Sequence, residues 1–267
     1  MSGKKNAAMA APLSFESTLH FKYFFIILTL FTATWLISNI SAVKLVSIFG
    51  ITLTGGFIIF PFTAMLSIII VEVYGYKNAR QAIWSGFILN LTFVFFINLV
   101  GIVPSSPHWT LAKQFNNILL PETRIIFASL ASFLLSDFSN SYFMAKMKLR
   151  NHGKSLIKRV LISSGLALSI DITCFMLLAF YGAMPTIILV KLMAAAYIKK
   201  ITCQIILFPF ILYAITLLKK WENIDIYDID TKFNPFSIDN VYSISSIGKF
   251  HAEKSKYDFP ENLVHIT

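Results

Sequence analysis

Apolar residues run along this chain in long blocks, separated by short clusters of Lys, Arg, Gly and Pro. Six blocks stand out, at residues 23–43, 57–73, 82–103, 125–145, 160–180 and 187–218. Each reaches or approaches the about 20 residues a helix needs to cross a hydrocarbon core about 30 Å thick. The pattern therefore predicts an all-α, polytopic membrane protein with six transmembrane helices. A transmembrane barrel would instead show alternating segments of roughly ten residues, and none is present. The last block is overlong, as for a helix that tilts or begins among the headgroups. Residues 45–56 (LVSIFGITLTGG) are apolar too, but Gly50, Gly55 and Gly56 disfavour a regular helix and predict a loop or re-entrant segment. The run from Phe21 follows no small-residue cleavage site, so it reads as a retained first span after a short N-terminal segment, 1–22.

Charge adds an orientation. Lys4, Lys5 and Lys22 precede the first block, Lys77 and Arg80 follow the second, and Lys146, Lys148, Arg150, Lys154, Lys158 and Arg159 follow the fourth. The alternate connections hold Lys44 alone, Lys113 alone, and none. Basic loops mark the cytoplasmic side, so six spans place both termini there. Trp221, after Lys219 and Lys220, fits an interfacial anchor. Residues 219–267 are polar, with 8 acids against 6 basic residues, and are broken by Pro235 and Pro260. They predict an acidic cytoplasmic tail, solvated or partly disordered.

Composition excludes other classes. Of the 267 residues, 56% are hydrophobic and only 13% charged, half the charge of a soluble domain. The net charge of +10 does not point to nucleic acid, because the surplus lies beside the spans. Cys174 and Cys203 both sit in apolar runs, which suggests neither a disulfide framework nor a zinc site. There is no HExxH, GxSxG, Walker or CxxC motif, and no His inside a span, so neither a cofactor nor a catalytic constellation is expected.

In so apolar a chain the informative residues are polar groups within spans. Glu72 ends the second span, Asp137 lies in the fourth and Asp171 near the middle of the fifth. Asn39, Asn90, Asn98 and Asn140 add amides, and Lys191, Lys199 and Lys200 fall in the sixth. Asp137 and Asn140 share a helix face. Amides often only join helices, Lys191 can snorkel, and Arg124 reads as an interfacial charge. Trp35 and Trp84 are packing residues or stacking platforms for a planar ligand.

One block goes further: FPFTAMLSIIIVEVYGYKNARQAIWSGF, from Phe60 to Phe87. It resembles the signature of the queuosine precursor transporter family, also called the vitamin uptake transporter family, with its FP-x-T, EVYGY, AR and IW-x-GF elements. Residues 39–44 (NISAVK), 124–140 and 159–182 resemble further family motifs in order and spacing, so the likeness covers roughly residues 25–218. The chain departs where the family commonly has acidic or amide residues (here Ile68, Val71 and Gln204) and where it has a Gln (here Asp137).

The resemblance implies a multi-pass transporter of the bacterial inner membrane, not an enzyme, that imports 7-deazaguanine precursors of queuosine: the 7-cyano or 7-aminomethyl base, or queuine. Its partners would be that small molecule and membrane lipid, without direct nucleic-acid contact, and with self-assembly into a homo-oligomer left open. A carboxylate can accept from both the ring N–H and the exocyclic amine of such a base. Glu72 and Asp171 are the candidates for that role, Asn140 and Asn39 for the remaining edges, and Trp35 for stacking. Asp137, Arg80, Arg159 and Lys200 are candidates for gating or coupling, the two arginines by pairing with Glu72 or with backbone carbonyls. The alternatives are a substrate-capture subunit of an ATP-driven uptake system and, from another class, an intramembrane enzyme. The tail, outside the resemblance, is expected to be dispensable for transport.

Overall fold

A computed structural model describes residues 21–48, 51–120, 123–229, 231–239, 241–242 and 246–248. Lys4, Lys5, Gly50, Pro121, Glu122 and the tail beyond 248 lie outside the described residues. Among the described residues the chain is all-α apart from two small two-stranded sheets. Its helices are α1 (Phe24–Ser41), α2 (Gly56–Ile102), the short α3 (Ala112–Leu119), α4 (Thr123–Arg150), α5 (Leu156–Phe180) and α6 (Thr186–Glu222). Among the described residues, five helices are long and apolar enough to cross a membrane by length and composition. The chain is thus a polytopic α-helical membrane protein.

The expected second and third spans appear as one 47-residue element, α2. Unbroken, it would measure about 70 Å, more than twice the hydrocarbon thickness. It is not unbroken. Gly75 adopts φ 78°, ψ 176°, a conformation essentially confined to glycine, and interrupts the helical path between the two apolar blocks. A Cβ there would also lie 2.5 Å from the Tyr242 hydroxyl oxygen and 2.7 Å from Ile226 Cγ2. The short polar stretch around Lys77 needed no loop, because a single glycine makes the break and helix resumes directly.

The expected loop or re-entrant segment at 45–56 is instead an antiparallel hairpin, β1 (Leu45–Ile48) with β2 (Ile51–Thr54), paired Leu45 to Thr54 and Ile48 to Ile51. Its run of Val, Ile and Thr favours extended backbone, and the glycines stand at its end. Gly56 opens α2 against α1, where a Cβ would meet the Ser38 carbonyl oxygen at 2.5 Å.

The first half of α2 is the centre of the bundle, with Ile68, Ile69, Ile70, Val71 and Val73 all nearly inaccessible. Ile27, Phe31 and Trp35 of α1, Phe133 and Met144 of α4, Val160 of α5 and Ile211 and Ile215 of α6 complete this core. Outward faces carry exposed Phe25, Ile88, Phe95, Ile187, Ile206 and Phe210, as expected for surfaces whose solvent is lipid. Helices α4 and α5 run several residues past the apolar blocks, which carries basic residues of their connection into the bundle's end.

Candidate functional site: a charged seal and an interior polar layer

Glu72 stands three residues before the break, with its side chain fully enclosed. A lone carboxylate there would be prohibitive, so it must be paired. Arg159, at the start of α5, forks onto it, Nη1 to Oε2 at 2.7 Å and Nη2 to Oε1 at 3.1 Å. Lys219, at the end of α6, reaches Oε1 at 2.7 Å. Lys148, near the end of α4, lies 3.6 Å from Oε1 and donates to the Glu72 carbonyl oxygen at 2.8 Å. Both lysines also pair with Asp225 at 2.6 Å. Two carboxylates and three cations, all buried, therefore tie α2, α4, α5 and α6 to the tail. Lys148 and Lys219, which the sequence suggested as loop charges, are structural members of this cluster. Lys22, Lys146, Arg150, Lys154, Lys158 and Lys220 remain exposed at the same end of the molecule.

The described residues of the tail pack against the bundle, where the sequence predicted a solvated or partly disordered appendage. After α6 ends at Glu222, β3 (Asp225–Ile226) pairs antiparallel with β4 (Ile247–Gly248), and Ile224, Ile226 and Tyr242 form a second small core with Phe21 and Ile247. Glu222 accepts from the backbone N–H groups of Lys22 and Tyr23 at 3.0 and 2.8 Å, and from the Tyr74 hydroxyl at 3.0 Å. The break leaves backbone donors without helical acceptors. Asp228 accepts from Tyr76 N–H at 3.0 Å to each oxygen, and the Tyr242 hydroxyl oxygen accepts from Lys77 N–H at 2.8 Å. Beyond them, Lys77 pairs with Asp239 at 2.6 Å, Arg80 donates to the Asn234 and Asp239 carbonyls, and Trp84 Nε1 donates to the Pro235 carbonyl at 2.8 Å. The EVYGYKNAR segment and the acidic tail are thus two halves of one surface. Only the charge complementarity of the two hinted at this from sequence.

Burial pushes the Asp228 carboxyl up, against the lowering pull of the Tyr76 N–H, while the hydrogen bond from Lys77 draws Asp239 down. Acidification therefore acts oppositely on the two: it relieves the cost of burying Asp228 as an anion and removes the stabilising charge of Asp239.

Further along the bundle lies a polar layer. Ser67 of α2 donates to Asp137 of α4 at 2.5 Å, and Asp171 of α5 pairs with Lys200 of α6 at 2.6 Å. The Lys200 ammonium also sits 4.3 Å from the centroid of the Phe60 ring. The Asp171–Lys200 side chains are 21% and 24% exposed, which separates them from the sealed Glu72 cluster. One turn from Asp137 toward that cluster, Asn140 is buried and its Oδ1 accepts no hydrogen bond. The hydroxyls of Thr63, Ser141 and Ser164 are likewise buried without a partner. Native interiors leave few such groups, and water or a polar guest would satisfy those on α2, α4 and α5. A cleft lined by Phe60, Pro61, Lys200, Cys203 and Gln204 reaches the layer from the side. It holds about 10 Å³, room for a water but not for a heterocycle.

The remaining candidates are committed elsewhere. Trp35 stacks on Phe133, with ring centroids 3.4 Å apart and planes 15° from parallel. Asn39 donates to Asn90 Oδ1 at 2.8 Å, and Asn98 bonds within its own helix. Arg124 donates to the Leu178 and Tyr181 carbonyls at 2.7 and 2.6 Å, holding the end of α5. Lys191 is exposed. Of the proposed binding residues, Asp171 and Asn140 belong to the polar layer, whereas every oxygen of Glu72 is held by cations.

A helical bundle with a charged seal at one end and unsatisfied polar atoms in its interior has the build of a membrane transporter. The chain belongs to the family described as "putative vitamin uptake transporter", whose sequence pattern matches residues 54–214, more than half of its length. It is also 26% identical over 185 residues to the "probable queuosine precursor transporter" of Bacillus subtilis (strain 168), an alignment that covers 65% of this chain and 76% of the relative. No solved structure matches the chain significantly.

Proposed function

We propose that this transporter imports 7-deazaguanine precursors of queuosine across the bacterial inner membrane, and that the interior polar layer is where the base binds. The observation that carries the reading is the unpaired Asn140 Oδ1, buried one helical turn from Asp137, which lies close enough to Asp171 for their charges to interact. A guanine-like base offers an N–H, an exocyclic amine and a carbonyl on adjoining edges. Asp171 supplies acceptors for two donors, Asn140 another acceptor, and the Ser141 and Ser164 hydroxyls can donate to the carbonyl. Lys200 holds Asp171 until the ligand arrives, and Asp137, bridged by Ser67, is the coupling candidate. The Glu72 cluster, with Arg159, closes the cytoplasmic mouth.

The experiment is uptake by purified protein in proteoliposomes without ATP, beside rescue of tRNA queuosine in a strain unable to make the precursor. Uptake of a labelled deazaguanine in both is expected. Rescue in cells with none in proteoliposomes would favour the capture-subunit alternative, and failure in both would refute the substrate.

Orientation is part of the proposal. The halves of α2 on either side of Gly75 cross separately, giving six passes with both ends cytoplasmic, and the exposed lysines and arginines at the sealed end support it. A reporter inserted after Leu111 should map outside and one fused after Thr267 inside. The same side for both would sink the six-pass arrangement.

A further inference from the structure

We propose that the tail, through its described residues 224–229, 231–239, 241–242 and 246–248, is a reversible latch. It must lift from the Gly75 break before the charged seal can open. The inference rests on the transport reading for its consequence, but its geometry stands apart from any substrate. The family match ends at residue 214, so the latch lies outside the matched region.

Its contacts are of the kind that can be exchanged for water. The break presents the N–H groups of Tyr76 and Lys77, and the tail satisfies them with the Asp228 carboxylate and the Tyr242 hydroxyl. Tyr242 also donates to Asp228 at 3.3 Å, and Thr231 does so at 3.1 Å, so the acceptor is itself held in place from within the tail. An outer tier, through Asp239, Val241, Asn234 and Pro235 to Lys77, Arg80 and Trp84, is wetter, and Asp239 is 53% exposed. The inner part of the tail buries Ile224, Ile226, Tyr227 and Tyr242, but the outer tier buries little apolar area, with Phe236 76% and Ile238 93% exposed. A permanent brace would invest in apolar area, whose loss water does not compensate. Hydrogen bonds to polar groups are instead replaced by water at modest net cost, which suits an element that comes and goes.

Position gives the latch its consequence. The tail touches both sides of the break, and Asp225 reaches α4 and α6 through Lys148 and Lys219. At the α4–α5 connection, Tyr227 fills the space where Gly153 would carry a Cβ. These are the elements that the Glu72 cluster holds together, so they cannot part while the tail spans them. Peeling would begin at the exposed outer tier and end at the buried Asp225.

Two measurements test the latch on the full chain. In the first, hydrogen exchange is followed at the Tyr76 and Lys77 amides in Tyr242→Phe and in Asp239→Asn. Exchange at the Lys77 amide should quicken about fivefold in Tyr242→Phe, the equivalent of the one hydrogen bond that amide loses, with α1 unchanged. In the second, cysteines replace Trp84 and Phe236, whose rings are 5.7 Å apart, in a chain carrying Cys174→Ser and Cys203→Ser. A bis-maleimide with an internal disulfide then links them. Linked protein in proteoliposomes should lose deazaguanine transport and regain it when the linker is cleaved. Equal transport in the linked and cleaved forms would overturn the latch. If the cleaved form moves no deazaguanine at all, the substrate reading has failed and the exchange data decide alone. Wild-type amides at 76–77 that exchange as slowly as the α2 core, unmoved by either substitution, would make the tail a static brace.

Discussion

Replacing Glu72 by glutamine is expected to remove the protein from the membrane rather than to yield a folded transporter that fails to bind. In the native cluster two carboxylates, Glu72 and Asp225, face three cations, Lys148, Lys219 and Arg159, all of them buried. Glutamine raises the imbalance from one positive charge to two. It also leaves Arg159 with an amide that accepts through one oxygen where it had two. Breaking a buried pair from one side costs about 3–5 kcal/mol, a large part of the stability of most folded chains. Removing a cation as well should recover much of that loss, so Glu72→Gln with Lys219→Met is expected to express better than Glu72→Gln alone. Membrane abundance and a monodisperse profile after detergent extraction would read both effects. Normal abundance with abolished uptake in the single variant would return Glu72 to the substrate site, where the sequence alone had placed it.

Much of the fold was legible because hydropathy reports on lipid directly. The helices α1, α4, α5 and α6 lie close to the apolar blocks that announced them. What escaped depended on partners far away in sequence. Gly75 breaks α2 without any loop, and the space a side chain there would need is taken by Ile226 and Tyr242, far along the chain. Lys148 and Lys219 look like topogenic loop charges until Glu72 and Asp225 are placed between them. The tail reads as soluble because its acids are hydrophilic, yet Glu222, Asp225 and Asp228 are buried against cations and bare N–H groups. These contacts argue against the expected dispensability of the tail, since truncation would strip Lys148 and Lys219 of a carboxylate and expose the break. The polar layer was half legible. Asp171 and Asn140 could be picked out as costly residues in spans, but that Asn140 lacks a partner while Asn39 has one is a fact of packing alone.

Asp171→Asn is expected to fold and to lose uptake, and the Lys200 pairing makes the result decisive. The pair is partly exposed at membrane depth, bridges α5 and α6, and lies outside the sealed cluster. If Asp171 served only to neutralise Lys200, removing both charges would restore a matched interior, and Asp171→Asn with Lys200→Gln would transport normally. If Asp171 receives the two donors of the base, the double variant remains inactive, because an amide oxygen cannot face two donors as a carboxylate does. A hydrogen bond to a charged group contributes about 1.5–3 kcal/mol, so binding should weaken by about tenfold to a hundredfold. Ligand affinity of the purified variants, set beside uptake and membrane abundance, would separate the cases. Asp171→Asn should show normal abundance, and neither it nor the double variant should bind deazaguanine as the native chain does. Native affinity in the double variant would make Asp171 a structural partner of Lys200, and the binding carboxylate of the layer would then have to be Asp137.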